Sequence, residues 1–150
     1  MEIKQITNIN EALKILWEHD QSSQKINFPK DKPNRKISEE RILKEYDEEP
    51  TGYFFIYEDG KIVGSLILKT RFNPFRNQKY GDVRAIYFDA SCRGKGFGSK
   101  ALEFADGYFK LKGCSYAFAG VSALNPASNA LFDKFGYERT RNILEKQYES

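Results

Sequence analysis

The chain has 150 residues, 40% of them apolar and 15% aromatic, and carries a formal net charge of +3. That length can bury a sizeable core as one domain. The bulky side chains exclude a disordered segment, and the small net charge gives no electrostatic case for nucleic-acid or membrane-surface binding. No apolar run is long enough to cross a membrane, and the opening MEIKQITNINEALKILWEHD places acids inside its apolar periodicity, unlike a signal peptide. Two cysteines, Cys92 and Cys114, do not make a disulfide framework. With His19 as the single histidine, they argue against a structural zinc site or a histidine-based triad. A soluble, cytoplasmic, metal-free domain spanning 1–150 is expected.

In chain order, Ile3, Lys4 and Ile6 alternate as a short strand. Asn8 then reads as a helix N-cap with Glu11 three residues on. Ile9, Leu13, Leu16 and Trp17 follow at helical spacing, which makes Trp17 a core residue and His19 an ordinary surface or helix histidine. The polar stretch Asp20–Lys36, with Pro29 and Pro33, predicts a long surface loop. Ser38 is the expected cap of a second helix, with Ile37 stapled onto Ile42. Its end, Glu45-Tyr46-Asp47-Glu48-Glu49, either attracts a cationic amine or is a solvated helix terminus.

The middle is rich in strands. Gly52–Tyr57 is aromatic, Asp59-Gly60 is a tight-hairpin signal, and Ile62–Thr70 is the return strand. Val83–Phe88 is a third run. The period then changes: Phe97, Ala101, Phe104, Ala105, Tyr108 and Phe109 share one helical face that Gly113 ends. Ser115–Val121 is strand-like. Asn125-Pro126 is a helix start, with asparagine as cap and proline at the first helical position. Ala127, Ala130, Leu131 and Phe135 form that helix's apolar stripe, and Gly136 closes it. Tyr137–Tyr148 is expected as a final strand. The order β-α-α-β-β-β-α-β-α-β predicts a mixed α/β or α+β domain around one sheet.

One segment concentrates chemistry. Arg93-Gly94-Lys95-Gly96-Phe97-Gly98-Ser99-Lys100 lies between a strand and a helix. Its glycines permit positive φ and close approach of a ligand, and a helix N-terminus behind them suits an anion such as a pyrophosphate. It is not a P-loop, and its G-x-G-x-G spacing departs from the dinucleotide fingerprint G-x-G-x-x-G. On the glycines alone, a plain strand-to-helix turn remains equally open.

The surroundings separate these readings. Arg93-Gly94-Lys95-Gly96-Phe97-Gly98 resembles the acyl-CoA signature R/Q-x-x-G-x-G/A of the GNAT superfamily of N-acetyltransferases. Asn125 through Tyr137 is similar to the family's N-x-x-[AS]-x-x-[LF]-Y-x-x-x-G-[FY] ending, and the element order matches along nearly the whole chain. The resemblance implies a mixed sheet of about six to seven strands flanked by about four helices, with two central parallel strands splayed apart. Acetyl-CoA would be the acyl donor and a primary amine of a small molecule or peptide the acceptor. No nucleic-acid or membrane partner is implied, and the chain would be a monomer or homodimer.

Residue by residue, the resemblance implies that the backbones of Ile86, Tyr87 and Phe88 take the pantetheine arm as an added strand would be taken. Arg93, Gly94, Lys95, Gly96, Phe97, Gly98 and Ser99 would bind the pyrophosphate. Asn125 and Asn129 would reach the cofactor, although a helix N-cap explains Asn125 equally well. Arg84 stands where the family often has a catalytic glutamate and Phe132 where it often has an acidic tyrosine. Neither can perform the usual proton transfer, so Tyr137, Asp82 and Tyr87 are the substitute candidates. A second reading is a catalytically weak acyl-CoA-binding sensor or structural module; a third is a nucleotide- or phosphate-binding domain unrelated to CoA. Arg84 could bind a carboxylate or phosphate of the acceptor, or pair with a nearby acid. The acceptor pocket would lie among residues 21–46, 72–80 and the last strand. Cys92 is expected to be a passive turn residue and Cys114 a core one.

Overall fold

A computed structural model describes residues 1–149. Its elements are β1 (Glu2–Gln5), α1 (Ile9–Asn27), α2 (Arg35–Glu48), β2 (Tyr53–Glu58), β3 (Lys61–Asn73), β4 (Gln78–Phe88), α3 (Phe97–Leu111), β5 (Tyr116–Ala119) and α4 (Pro126–Lys134). The sheet order is β1-β2-β3-β4-β5. The first three pairings are antiparallel and β4–β5 is parallel. Asp59 and Gly60 both take positive φ, 51° and 77°, as a two-residue hairpin turn requires.

The period of two divides the side chains between two cores. Tyr53, Phe55 and Ile67 pack with Ile9, Ala12 and Leu16 of α1 and Ile42 of α2. Phe54, Ile56, Leu66, Leu68 and Val83 pack with Ala101, Leu102, Ala105 and Phe109 of α3 and Phe132 of α4. Helices therefore cover both faces. Each fully buried Ile or Leu contributes about 1.5–3 kcal/mol of transfer free energy.

Three expectations are corrected. The loop predicted from Asp20 is helical through Asn27. Gln21–Ile26 contains no glycine or proline, and the helix stops at Phe28, the residue before Pro29. Asn34 rather than Ser38 caps α2: its side chain accepts the Ile37 N–H at 3.1 Å. Ser38 instead donates its hydroxyl to Asp20 at 2.7 Å. This earlier start leaves Ile37 exposed instead of stapled to the buried Ile42.

The third correction concerns the strand count. Tyr137–Tyr148 forms no strand, so among the described residues the sheet has five strands rather than six to seven. The parallel pair β4 and β5 consequently lies at the end of the sheet, not at its centre. Ile143 and Leu144 are adjacent, 89% and 91% exposed. In a strand they would point to opposite faces, so the segment has no single apolar face to bury.

Candidate active site

The loop from β4 into α3 begins with one 3-10 turn, Ala90–Cys92, in which Cys92 is buried. Gly94 and Gly96 follow with φ of 77° and 74°. A Cβ at either would meet nothing within 4 Å, so the requirement for glycine is conformational, not steric. Gly96 is the N-cap of α3 and supplies no side-chain acceptor. The first backbone bond of the turn runs from Lys100 N–H to the Gly96 carbonyl at 3.2 Å. The amides of Phe97, Gly98 and Ser99 precede it and point out of the helix end, where an anion is favoured. Gly98 has a steric reason: a Cβ there would lie 2.8 Å from Leu131 Cδ2 of α4.

The charges of this loop are partly committed. Lys95 Nζ donates to Glu58 at 2.9 Å, tying the loop to the β2–β3 hairpin. Lys134 of α4 reaches Ser99 Oγ at 3.4 Å. Phe97 is buried, edge-on to Phe88 with centroids 6.1 Å apart, so it offers the loop only its backbone.

β4 pairs with β5 only over Tyr80–Val83. Beyond that point β4 continues to Phe88 against β3, while β5 ends at Ala119. Among the described residues no strand pairs with the outer edge of 84–88. The parallel pairing thus ends at Val83 and Ala119, which leaves the outer edge of 84–88 open on the way to the glycine loop. The end of the pairing coincides with a bulge: Ile67 pairs with Ala85 and Leu68 with Val83, which leaves Arg84 unmatched. Ile86 and Phe88 turn toward α3, and Tyr87 toward α1. An extended amide chain could pair with such an edge.

A cavity of about 210 Å³ opens where the parallel pairing ends, lined by Arg71, Asp82, Val83, Arg84, Phe118 and Gly120. Arg71 Nε donates to Asp82 Oδ2 at 3.0 Å. Arg84 donates from Nη2 and Nε to Glu45 Oε1 at 3.2 and 3.4 Å. Glu45 Oε2 is buried, accepts no hydrogen bond, and lies 3.5 Å from Arg41 Nη1. Arg41 in turn holds Asp20 at 2.7 Å. The ion-pair reading of Arg84 is therefore realised, and its partner comes from α2.

Of the acidic run Glu45–Glu49, Glu45 is the acid that reaches the cavity wall, through Arg84. It lies three residues after the buried Ile42 and so shares the inward face of α2. Two further acids of the run are occupied, while Asp47 is exposed. Glu48 pairs with Lys69, which holds the Glu48 carboxyl below its ordinary range. Glu49 accepts the Thr70 N–H at 2.9 Å and the Tyr108 hydroxyl at 2.6 Å.

The three acid–base candidates are dispersed. Asp82 lines the cavity. Tyr87 donates to Asp89 at 3.1 Å and stacks on His19, with centroids 4.2 Å apart. Tyr137 packs on the α3 side, edge-on to Phe132 at 4.9 Å. Its hydroxyl is buried without a hydrogen-bond partner, and burial pushes its pKa up to about 12.

Asn125 caps α4 by accepting the Ser128 N–H at 3.1 Å and donates to Asn27 at 3.0 Å. Asn129 donates to the carbonyls of Ser122 and Asn125 at 2.9 and 2.8 Å. Both side chains hold the β5–α4 connection in place. His19 lies on α1 as a helix histidine, buried rather than at the surface, with Nδ1 2.8 Å from Ser65 Oγ. Burial lowers its pKa. Trp17 is buried as expected. Cys114 is half-buried against the α3-side core, and burial raises its pKa. No described helix is long and apolar enough to cross a membrane.

The model of the acetyltransferase (GNAT) family matches residues 12–137. No curated protein matches the chain in sequence. Among solved structures, the chain is similar to one described as a possible acetyltransferase from Clostridium difficile, at 15% identity, 99% coverage of this chain, 98% of that one, and a TM-score of 0.77. It is similar to the aminoglycoside antibiotic 6'-N-acetyltransferase of Acinetobacter haemolyticus, at 16% identity, 100% and 99% coverage, and a TM-score of 0.75. It is also similar to the ribosomal-protein-alanine N-acetyltransferase of Brucella melitensis, at 13% identity, 99% coverage of both chains, and a TM-score of 0.76. At these identities the likeness is one of fold.

Proposed function

Since the chain belongs to the acetyltransferase (GNAT) family and is an acyltransferase, we propose that it moves an acetyl group from acetyl-CoA to a primary amine of a small molecule or peptide by direct attack. The observation that carries this reading is the unpaired outer edge of β4 over 84–88, which leads into the loop bearing Gly94 and Gly96. It supplies an unpaired strand edge for an amide-bearing arm next to a helix N-terminus for a pyrophosphate. Two similar structures carry the names of N-acetyltransferases, which supports nitrogen as the accepting atom.

In this reading the amides of Phe97, Gly98 and Ser99, with Gly94 and Gly96 shaping the turn, hold the diphosphate. The backbones of Ile86, Tyr87 and Phe88 hold the arm. The amine lone pair forms the C–N bond and the C–S bond breaks. The nitrogen then gives up a proton and the departing thiolate takes one. Asp82 is the proposed proton acceptor because its carboxylate lines the cavity. Tyr137 is the proposed donor because its ring touches Phe132, at the family's tyrosine position. Tyr87 has its hydroxyl occupied by Asp89.

Arg84 and Phe132 at the usual acid–base positions favour a second reading, an acyl-CoA-binding module with little turnover. Release of free thiol from acetyl-CoA, followed across a panel of primary amines, separates the two. Amine-dependent release supports the transferase. Tight binding of acetyl-CoA with no release for any amine supports the module.

A further inference from the structure

Resting on the acetyltransferase reading, we propose that the acceptor is a small primary amine that also carries a carboxylate, an α-amino acid in the simplest case. Arg71 and Arg84 take its carboxylate and Asp82 faces its ammonium group. The two guanidinium groups line the same cavity, from neighbouring strands. Each is held from one side by one acid. Arg71 spends only Nε on Asp82, and Arg84 spends Nε and Nη2 on Glu45. Among the described residues, both Nη of Arg71 and Nη1 of Arg84 have no protein acceptor. Their side chains are 38% and 37% exposed, so these donors are open to solvent.

A guanidinium has five N–H donors and can hold two carboxylates at once. The acids behind it act as supports: a side chain already fixed loses less freedom when it binds. Arg71 and Arg84 are matched by Asp82 and Glu45, and Arg141 adds a further guanidinium 5.2 Å over the Phe118 ring, which leaves this wall with one positive charge in excess. A purely cationic amine would meet excess positive charge on this wall. An amine with a carboxylate presents the complementary pattern, anion to arginine and ammonium to Asp82. The cavity, about 210 Å³, lies below the range typical of drug-sized ligands, which suits a small acceptor.

The test measures thiol release from acetyl-CoA with the natural L-amino acids and with their carboxamides. For the best side chain, kcat/KM for the free acid is expected to exceed that for the carboxamide at least tenfold. Arg84→Met and Arg71→Met are each expected to pull that ratio toward one, chiefly by raising KM for the free acid. Carboxamides used as well as free acids, a ratio unchanged in both variants, or no release with any free acid would each overturn the proposal. The wild-type comparison needs no variant, so a variant that misfolds leaves it intact. Stabilisation by acetyl-CoA, measured on the same protein, separates the two failures. Absence of stabilisation, or stabilisation with no thiol release for any amine, removes the acetyltransferase reading itself; release without a preference for the free acid removes only the acceptor class.

Discussion

Arg84, the unmatched residue of the β4 bulge, donates to Glu45 of α2 at 3.2 Å. This contact ties a helix of one face to the sheet at the point where the parallel pairing ends. The Glu45 side chain is 16% exposed and sits between Arg41 and Arg84. Its carboxylate is the shared counter-ion of two cations that would otherwise repel.

Glu45→Ala should therefore destabilise the protein by about 1 kcal/mol, the upper end for a partly exposed ion pair. Urea unfolding at low and high salt checks it. The difference from wild type should shrink as salt screens the two arginines. A difference that ignores salt would mean that packing, not charge, is what Glu45 supplies.

Gly96 and Gly107 should respond in opposite directions to the same substitution. Gly96 has a φ of 74°, so Gly96→Ala should cost about 1 kcal/mol and weaken acetyl-CoA binding as the turn distorts. Gly107 lies inside α3, where a Cβ would meet nothing within 4 Å. Gly107→Ala should add roughly 0.5–1 kcal/mol and leave acetyl-CoA binding alone. Thermal unfolding with and without acetyl-CoA reads both effects.

Tyr137→Phe should separate stability from turnover. The substitution deletes a buried hydroxyl that has no partner, so the melting temperature should stay the same or rise. If the phenol protonates the departing thiolate, kcat should nevertheless fall at least tenfold with little change in KM for acetyl-CoA. An unchanged kcat would remove Tyr137 from the mechanism.

His19 should make stability depend on pH. Burial depresses its pKa below the ordinary value of 6.5, so the folded state holds it neutral while the unfolded state still binds a proton. Stability is then complete above about pH 6.5 and falls as the pH drops from there toward the lowered folded value. The sign follows from the unfolded chain binding more protons in that window. Denaturant unfolding at a series of pH values, for wild type and His19→Gln, checks it. The variant should lose the slope between pH 6.5 and the onset of carboxylate titration.

What the sequence made legible was local. Asp59-Gly60, Asn125-Pro126 and the glycines at 94 and 96 each carry a backbone demand that few residues can meet, and each sits where it was expected. The parts that were hidden depend on distant partners. Glu45 and Arg84 are 39 residues apart, and His19 and Ser65 are 46 apart. Nothing in the local pattern of either pair announces the contact. Polarity does not imply irregularity: Gln21–Lys25 is polar yet compatible with a helix, whose last residue, Asn27, accepts the Ser122 hydroxyl at its carbonyl at 2.9 Å. In residues 137–148 apolar content alone does not make a strand, because Ile143 and Leu144 cannot share a face.

The most direct measurement is thermal stability with acetyl-CoA, against free CoA and adenosine diphosphate. Ligand linkage gives about 2.7 kcal/mol of stabilisation at a hundred times the dissociation constant. If the open edge of β4 and the glycine loop hold the donor, acetyl-CoA should raise the melting temperature clearly, and by more than adenosine diphosphate does. No shift at millimolar acetyl-CoA would contradict the reading and leave Gly94 and Gly96 as the glycines of an ordinary turn.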